Sequence, residues 1–311
     1  MTLTNDSFTD GFYDSVGTLE SLQESAIAYL CSDPTLKLVK LDDQEYREGQ
    51  ITYRSRNKET EMMLDATLHA IDEKMSSQQH YTILSIGCGI GIFEKPFLKK
   101  LLSLNKTIHF VGVDPNKKEC LKLKEWCREV SAEKSSKFSF NIYPVGFDTF
   151  EYTQNFDIIL FINSLYYFSE IEPSICKSNQ LLREGGMIIV GINPKKKLLN
   201  KPYYYINQRL YIKPKWFAED IEKLLIESNI LFRKETMEFP VNIKECFIKE
   251  SQVGKQLLDF IVGANTAYFS PLQLRLLLDY FGTCAQKIEG GEIMIPHSII
   301  LFFIEKERVS A

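Results

Sequence analysis

The hydrophobic pattern changes period several times along the chain, and each change marks an element. Residues 57–75 carry Met62, Met63, Leu64, Ala66, Leu68 and Ile71 at helical spacing, which predicts an amphipathic helix leading into a core. The period then shortens. Tyr81-Thr-Ile-Leu-Ser-Ile86 is a strand-type run that stops at Gly87. A helix is predicted from about 92 to 104, with Pro96 in its first turns, where a missing N–H is tolerated. The pattern continues with a strand at 108–113, a helix near 116–131, and strands at 138–142 and 156–162. A helix near 171–182 and the turn residues Gly185-Gly186 lead into a strand at 187–192. Beyond lie a helix near 214–228, a strand-like 231–241, a helix-rich 243–285 and a closing strand at 298–304. Residues 1–45 are polar with short apolar bursts and read as helix plus loop.

Five near-continuous apolar runs separated by helices predict a mostly parallel sheet covered on both faces, the doubly wound α/β class. The length, 311 residues, allows one large domain or a core with an added piece, at roughly 100–200 residues per domain.

Composition narrows the function classes. Lys+Arg 37 against Asp+Glu 41 gives −4, which provides no chain-wide attraction for phosphate backbones or anionic lipid. The basic run Lys195-Lys196-Lys197, with Lys201 nearby, reads as a solvated loop. Met1 to Ser15 carries Asp6, Asp10 and Asp14 and lacks a basic start followed by an apolar run, so no signal peptide is expected. No uncharged apolar run reaches the ~18 residues of a membrane span. Seven cysteines without a C-x-x-C pair suit reduced thiols in the cytoplasm. Four histidines, none at metal-binding spacing, argue against a metal site. Nucleic acid, membrane and metal are therefore not expected partners, and a small-molecule substrate is. The 21 Phe and 15 Tyr against 2 Trp provide many mid-sized flat side chains for a core or a pocket.

The chemistry begins at Gly87-Cys88-Gly89-Ile90-Gly91, between the first strand and the first long helix. Glycines there permit a tight turn and let the backbone approach a ligand beyond the strand's carboxyl end. The spacing is G-x-G-x-G, one residue shorter than the dinucleotide fingerprint, and it resembles the S-adenosylmethionine loop of Rossmann-like methyltransferases. Asp114 closes the second strand, where an acid can accept hydrogen bonds from ribose hydroxyls. Two other readings share these residues: a glycine-rich turn with no ligand, and a nicotinamide dehydrogenase with His297 as its hydride-transfer partner. After the fourth strand the chain reads Phe161-Ile-Asn-Ser-Leu-Tyr-Tyr167. That is unlike the N-P-P-Y motif of nucleobase methylation, and no glutamate pair or magnesium-binding acid cluster accompanies it.

Beyond the loop, the chain resembles the histamine N-methyltransferase family. The resemblance rests on Ile83-Leu-Ser-Ile-Gly87, Leu165-Tyr-Tyr167, Glu245-Cys-Phe-Ile248, Leu257-Leu-Asp-Phe260 and the ending Ser298 to Glu305, which together span most of residues 46–305 in the same order. It implies an N-terminal extension at 1–45 and a single methyltransferase domain at 46–311. Within that domain, the cofactor half lies at about 80–192 and a substrate-side insertion at about 243–297. It also implies S-adenosyl-L-methionine as cofactor, held by Gly87, Gly89, Gly91, Asp114 and Ile162. Glu59, with Glu61 as a rival, would anchor the acceptor's amine. Asn163 and His297 would orient the acceptor, and His297 could take up the released proton. Tyr166, Tyr167 and Phe247 would line the pocket. The family's pocket tryptophans have no equivalent here, because after strand five come Lys195 to Lys201 and Tyr203-Tyr204-Tyr205. The expected activity is therefore N-methylation of a small amine or imidazole compound in an altered pocket, by a cytoplasmic monomer. Oxygen or sulfur methylation and a catalytically inactive binding protein are the alternatives. Set apart from the resemblance, Glu59 reads more readily as a helix-surface acid and His297 as a histidine satisfied by backbone.

Overall fold

The computed structural model describes residues 25, 27–195, 197–211 and 215–306. It divides into two units. One comprises Lys58–Pro194, Lys215–Glu238 and Ser298–Ala311, and the other Met1–Asn57, Lys195–Pro214 and Phe239–His297, each over its described residues.

The first unit is built on the sheet. Its order is β3 (Phe138–Tyr143), β2 (Thr107–Val113), β1 (His80–Ile86), β4 (Phe156–Ile162), β5 (Leu182–Ile192), β8 (Ile293–Glu305), β6 (Phe232–Asn242), the last two strands running on into the second unit. β1 pairs in parallel with β2 and β4, β2 with β3, and β4 with β5. The last strand is antiparallel, from Met187 opposite Glu305 to Ile192 opposite Ile300. This is the mostly parallel sheet that the apolar runs predict. β4 is buried at all seven positions because strands flank it and helices cover it. β3, at the edge, alternates. The starts of β1, β4 and β5 are tied by Asp157, whose carboxylate accepts from the Thr82 N–H (2.7 Å) and the Arg183 guanidinium (3.1 Å).

Helices α2 (Glu59–Met75), α3 (Glu94–Ser103), α4 (Lys117–Glu133), α5 (Glu172–Leu181) and α7 (Ala218–Glu227) belong to this unit. α4 starts where Asn116 accepts from the Lys118 and Glu119 N–H groups. The aromatic surplus goes largely into the core. Phe147 meets Phe161 edge-on at 5.9 Å, Phe161 meets Phe168 at 5.8 Å, and Phe150 and Phe156 each stack on Tyr152.

The second unit pairs α1 (Asp43–Arg54) with α8 (Gln252–Val262). α1 opens with a capping box in which Asp42 accepts from the Gln44 and Glu45 N–H groups and Glu45 accepts from the Asp42 N–H. Gly49 lets the two helices approach: a Cβ there would lie 2.8 Å from Gln256 O and from Phe260 Cβ. Gln256 bonds Thr52 and Glu48 across the same seam. α8 ends at Gly263 in the left-handed conformation. α6 (Lys201–Leu210) and α9 (Pro271–Cys284), with the short β7 (Gln286–Lys287) paired on β8, complete the unit.

Three details differ from the sequence pattern. Tyr203, Tyr204 and Tyr205 lie inside α6, a helix that the pattern after strand five does not predict. Lys201 is buried at the start of that helix, so it is not part of a solvated run, and Lys196 lies outside the described residues. The helix near 214–228 begins at Ala218, and residues 212–214 lie outside the described residues. Of the polar first 45 residues, 1–24 and 26 lie outside the description. Residues 27–32 are helical, and the N-terminal stretch is held where the Arg209 guanidinium donates to the carbonyls of Cys31, Asp33 and Leu36.

Gly49→Val is expected to destabilise the α1–α8 pair by about 1–3 kcal/mol, because the helices cannot separate without losing the Gln256 bonds. Chemical denaturation would measure it, and an unchanged midpoint would refute the close-approach account.

Candidate functional site

The strand order reverses between β1 and β4, and in open α/β sheets ligands bind in the crevice beyond the strand ends at such a reversal. The glycine loop leaves β1 there. Gly87, Gly89 and Gly91 have φ of +73°, +50° and +80°, a region side chains rarely adopt. Gly87 is doubly constrained, since a Cβ on it would overlap Ser164 Cβ just past the end of β4. Its N–H donates to Val113 O at 2.7 Å, which anchors the loop to the end of β2.

Asp114 follows β2. Its carboxylate accepts from the Gly89 N–H (2.9 Å) and the Asn116 N–H (2.8 Å), so loop and acid are joined directly. This arrangement fits the cofactor inferred from the sequence, with a backbone cradle open to close approach and a carboxylate at its rim. Ile162 closes β4, its Cδ1 lying 3.3 Å from where a Cβ on Gly191 would stand. Beneath the loop, Cys88 is a packed thiol. Its hydrogen bond with Cys120, then burial, hold its pKa well above the ordinary range, so it has little thiolate character.

A second cluster lies at the end of β4. Glu59, the first residue of α2, is 1% exposed. Asn163 Nδ2 donates to Glu59 Oε1 at 3.0 Å. Tyr166 donates from its hydroxyl to Asn163 Oδ1 (3.2 Å) and accepts from the Asn193 N–H (2.7 Å). Asn163 holds φ +52°, a left-handed conformation that asparagine tolerates better than most, and its N–H donates to Gly191 O. Glu61 is exposed, and only Glu59 meets Asn163. The two tyrosines part company: Tyr166 packs partly into the core, whereas Tyr167 is 57% exposed with the Lys215 ammonium 4.1 Å over its ring.

His297 and Phe247 belong to the second unit. His297 is buried with Phe239 (5.3 Å) and Tyr53 (6.4 Å) edge-on to it. Phe247 ends a short 3-10 turn and faces Gly282.

Sequence reasoning missed Glu94 and Asn193. Glu94 opens α3, is 3% exposed, and accepts from Ser85 Oγ at 2.7 Å. Burial raises its carboxyl to about 7, against the pull of the Ser85 hydrogen bond, and the Asp114 charge raises it further. An acid in the first turn of the helix after a glycine loop was the available signal, but nothing in sequence marks it as buried. Asn193 acts through its backbone N–H, which has no sequence signature. Among the described residues no group of three or more His, Cys, Asp or Glu could hold a metal, and no helix is long and apolar enough to cross a membrane.

Residues 84–188 match the family model for a methyltransferase domain. This matched domain and the fold support an S-adenosylmethionine-dependent methyltransferase of class I, Rossmann-like architecture. Histamine N-methyltransferase of Xenopus tropicalis is 24% identical over 246 residues, covering 72% of this chain and 81% of that protein. Two solved structures share the fold. The YcgJ protein of Bacillus subtilis is 14% identical with a TM-score of 0.50, over 77% of this chain and 99% of its own. The plantazolicin methyltransferase BpumL, solved with S-adenosylhomocysteine, is 15% identical with a TM-score of 0.50, over 95% of this chain and 99% of its own.

Gly87→Ala is expected to weaken S-adenosylhomocysteine binding and to destabilise the protein by about 1–3 kcal/mol, since positive φ and the Ser164 overlap must both be relieved. Calorimetric titration and melting curves test this, and wild-type values in both would refute it. Glu94→Gln addresses pH. A carboxyl raised from 4.5 to about 7 binds more protons folded than unfolded between those values. Stability contributed by the wild-type group is therefore present below about 4.5 and lost as pH rises through 7, on the order of 3 kcal/mol. From pH 5 to 8 the wild type is expected to lose more melting temperature than Glu94→Gln. Parallel profiles would remove Glu94 as the cause.

Proposed function

We propose that the protein transfers a methyl group from S-adenosylmethionine to a nitrogen of a small amine or imidazole-containing metabolite, as a cytoplasmic monomer that needs no metal. The observation that carries this reading is the buried Glu59–Asn163 pair at the end of β4, next to Ser164 and hence to the glycine loop. A buried carboxylate at a helix N-terminus is stabilised by the helix dipole and presents negative charge to a cationic or N–H-bearing group. The name of the Xenopus relative supports a nitrogen acceptor, and the near-neutral net charge of −4 agrees with a small one.

S-adenosylmethionine supplies an activated methyl group on a sulfonium, so the chain needs no nucleophile of its own. Gly87, Gly89 and Gly91 would admit its backbone, Asp114 its ribose hydroxyls and Ile162 the adenine edge. In the sequence resemblance these roles fall on the same positions. Glu59 would pair with the acceptor's ammonium or N–H, and Asn163 would orient it. The attacking nitrogen must be neutral and aligned at about 3 Å from the methyl carbon, where positioning supplies most of the rate advantage. His297 is our assignment for the base that takes the released proton, supported by its place within β8 and by its burial. Tyr166, Tyr167 and Phe247 are assigned as pocket aromatics, with Tyr167 offering an exposed ring.

A methyl-transfer screen across imidazoles, aliphatic amines and amino-acid derivatives, read by mass, is expected to return a nitrogen-methylated product. With that acceptor, Glu59→Gln should cost about 2–5 kcal/mol in kcat/KM through loss of the charge partner. His297→Ala should cost about 10²–10⁴-fold in kcat. Unchanged turnover in both variants would sink this picture, and a screen returning only oxygen or sulfur acceptors would replace it.

A further inference from the structure

We propose that Tyr166 is a positioning residue whose hydroxyl sets the orientation of the Asn163 amide. It thereby decides which amide atom meets Glu59 and which remains for the acceptor. This rests on the reading above, in which Glu59 and Asn163 bind the acceptor.

A phenol oxygen carries one hydrogen and can also accept. The Asn193 N–H already donates into Tyr166 at 2.7 Å, which leaves the hydroxyl hydrogen to be given, and Asn163 Oδ1 at 3.2 Å receives it. An amide presents its oxygen and nitrogen in nearly the same shape. Turned by half a rotation, Asn163 would set Oδ1 against the Glu59 carboxylate, two acceptors in contact. The Tyr166 donor disfavours that rotamer. Asn163 therefore gives one Nδ2 hydrogen to Glu59 Oε1, and the other is not spent in these contacts.

Each member of the chain is placed by rigid surroundings. Asn193 follows β5 and accepts from the Ala218 N–H at 3.0 Å. The Tyr166 ring meets Phe217 and Tyr167 edge-on at 6.4 and 6.3 Å. Asn163 is held by its bond to Gly191 O. The hydroxyl thus carries the register of the sheet end into the orientation of one amide.

The test is a double-mutant cycle, with Tyr166→Phe, which keeps the ring, and Asn163→Gly, which suits the positive φ. Affinities for 2-phenylethylamine and its neutral isostere 2-phenylethanol are measured calorimetrically on protein saturated with S-adenosylhomocysteine. The ratio of the two affinities is the readout, because general loosening lowers both and cancels. The wild type is expected to prefer the ammonium. Tyr166→Phe should cut that preference about 3–30-fold, Asn163→Gly at least as much, and adding Tyr166→Phe to Asn163→Gly should change nothing further. An unchanged ratio in Tyr166→Phe, an additive cycle, or a wild type with no preference would overturn the positioning role. If the methyl-transfer screen still returns nitrogen acceptors in that case, the inference alone has failed. A screen returning only oxygen or sulfur acceptors would overturn the function on which it rests.

Discussion

The approach of Gly87 to Ser164 is the constraint on which the rest of the site depends. Two neighbouring parallel strands, β1 and β4, end side by side, and their loops must leave in different directions without colliding. A side chain on Gly87 would fill the space that Ser164 occupies. Because the turn is that tight, the loop amides stay over the sheet end, Gly89 reaches Asp114, and β4 can pass directly into Asn163. A looser turn would lose the carboxylate at its rim and the amide beside it together.

The sheet pairs two kinds of polar group at this end. Asp114, also buried, is satisfied by backbone N–H groups. Glu59 and Glu94 are buried, the first accepting from the Asn163 amide and the second from the Ser85 hydroxyl. Burial makes a carboxyl expensive to ionise, and the consequence is visible at Glu94, whose pKa burial raises to about 7.

The second unit meets a different physical demand. α1 and α8 pack through a glycine and a ladder of amide and carboxylate bonds, and Asp259, buried at the end of α8, accepts both the N–H and the hydroxyl of Thr266. Other contacts in this unit join residues more than 200 positions apart, such as Thr52 with Gln256 and Glu45 with Asn265. The described part of the first 45 residues, which read as helix plus loop, shares a unit with the late helical segment.

The sequence by itself determined the parallel sheet, its helices and the glycine loop, because those depend on periodicity and on glycine's backbone freedom, which are local properties. Strand β4 runs from 156 to 162 in both sequence pattern and structure, and α2 begins within two residues of its expected start. The tertiary structure decided which acid is buried. Glu59 and Glu61 are two residues apart and chemically alike, and only the path of β4 places an amide against the first of them. It also decided that many of the phenylalanines fill the core, that Glu94 is a buried carboxyl, and that a backbone N–H at Asn193 orients a tyrosine hydroxyl. Burial and hydrogen-bond direction arise from residues brought together across the fold, and no local pattern encodes them.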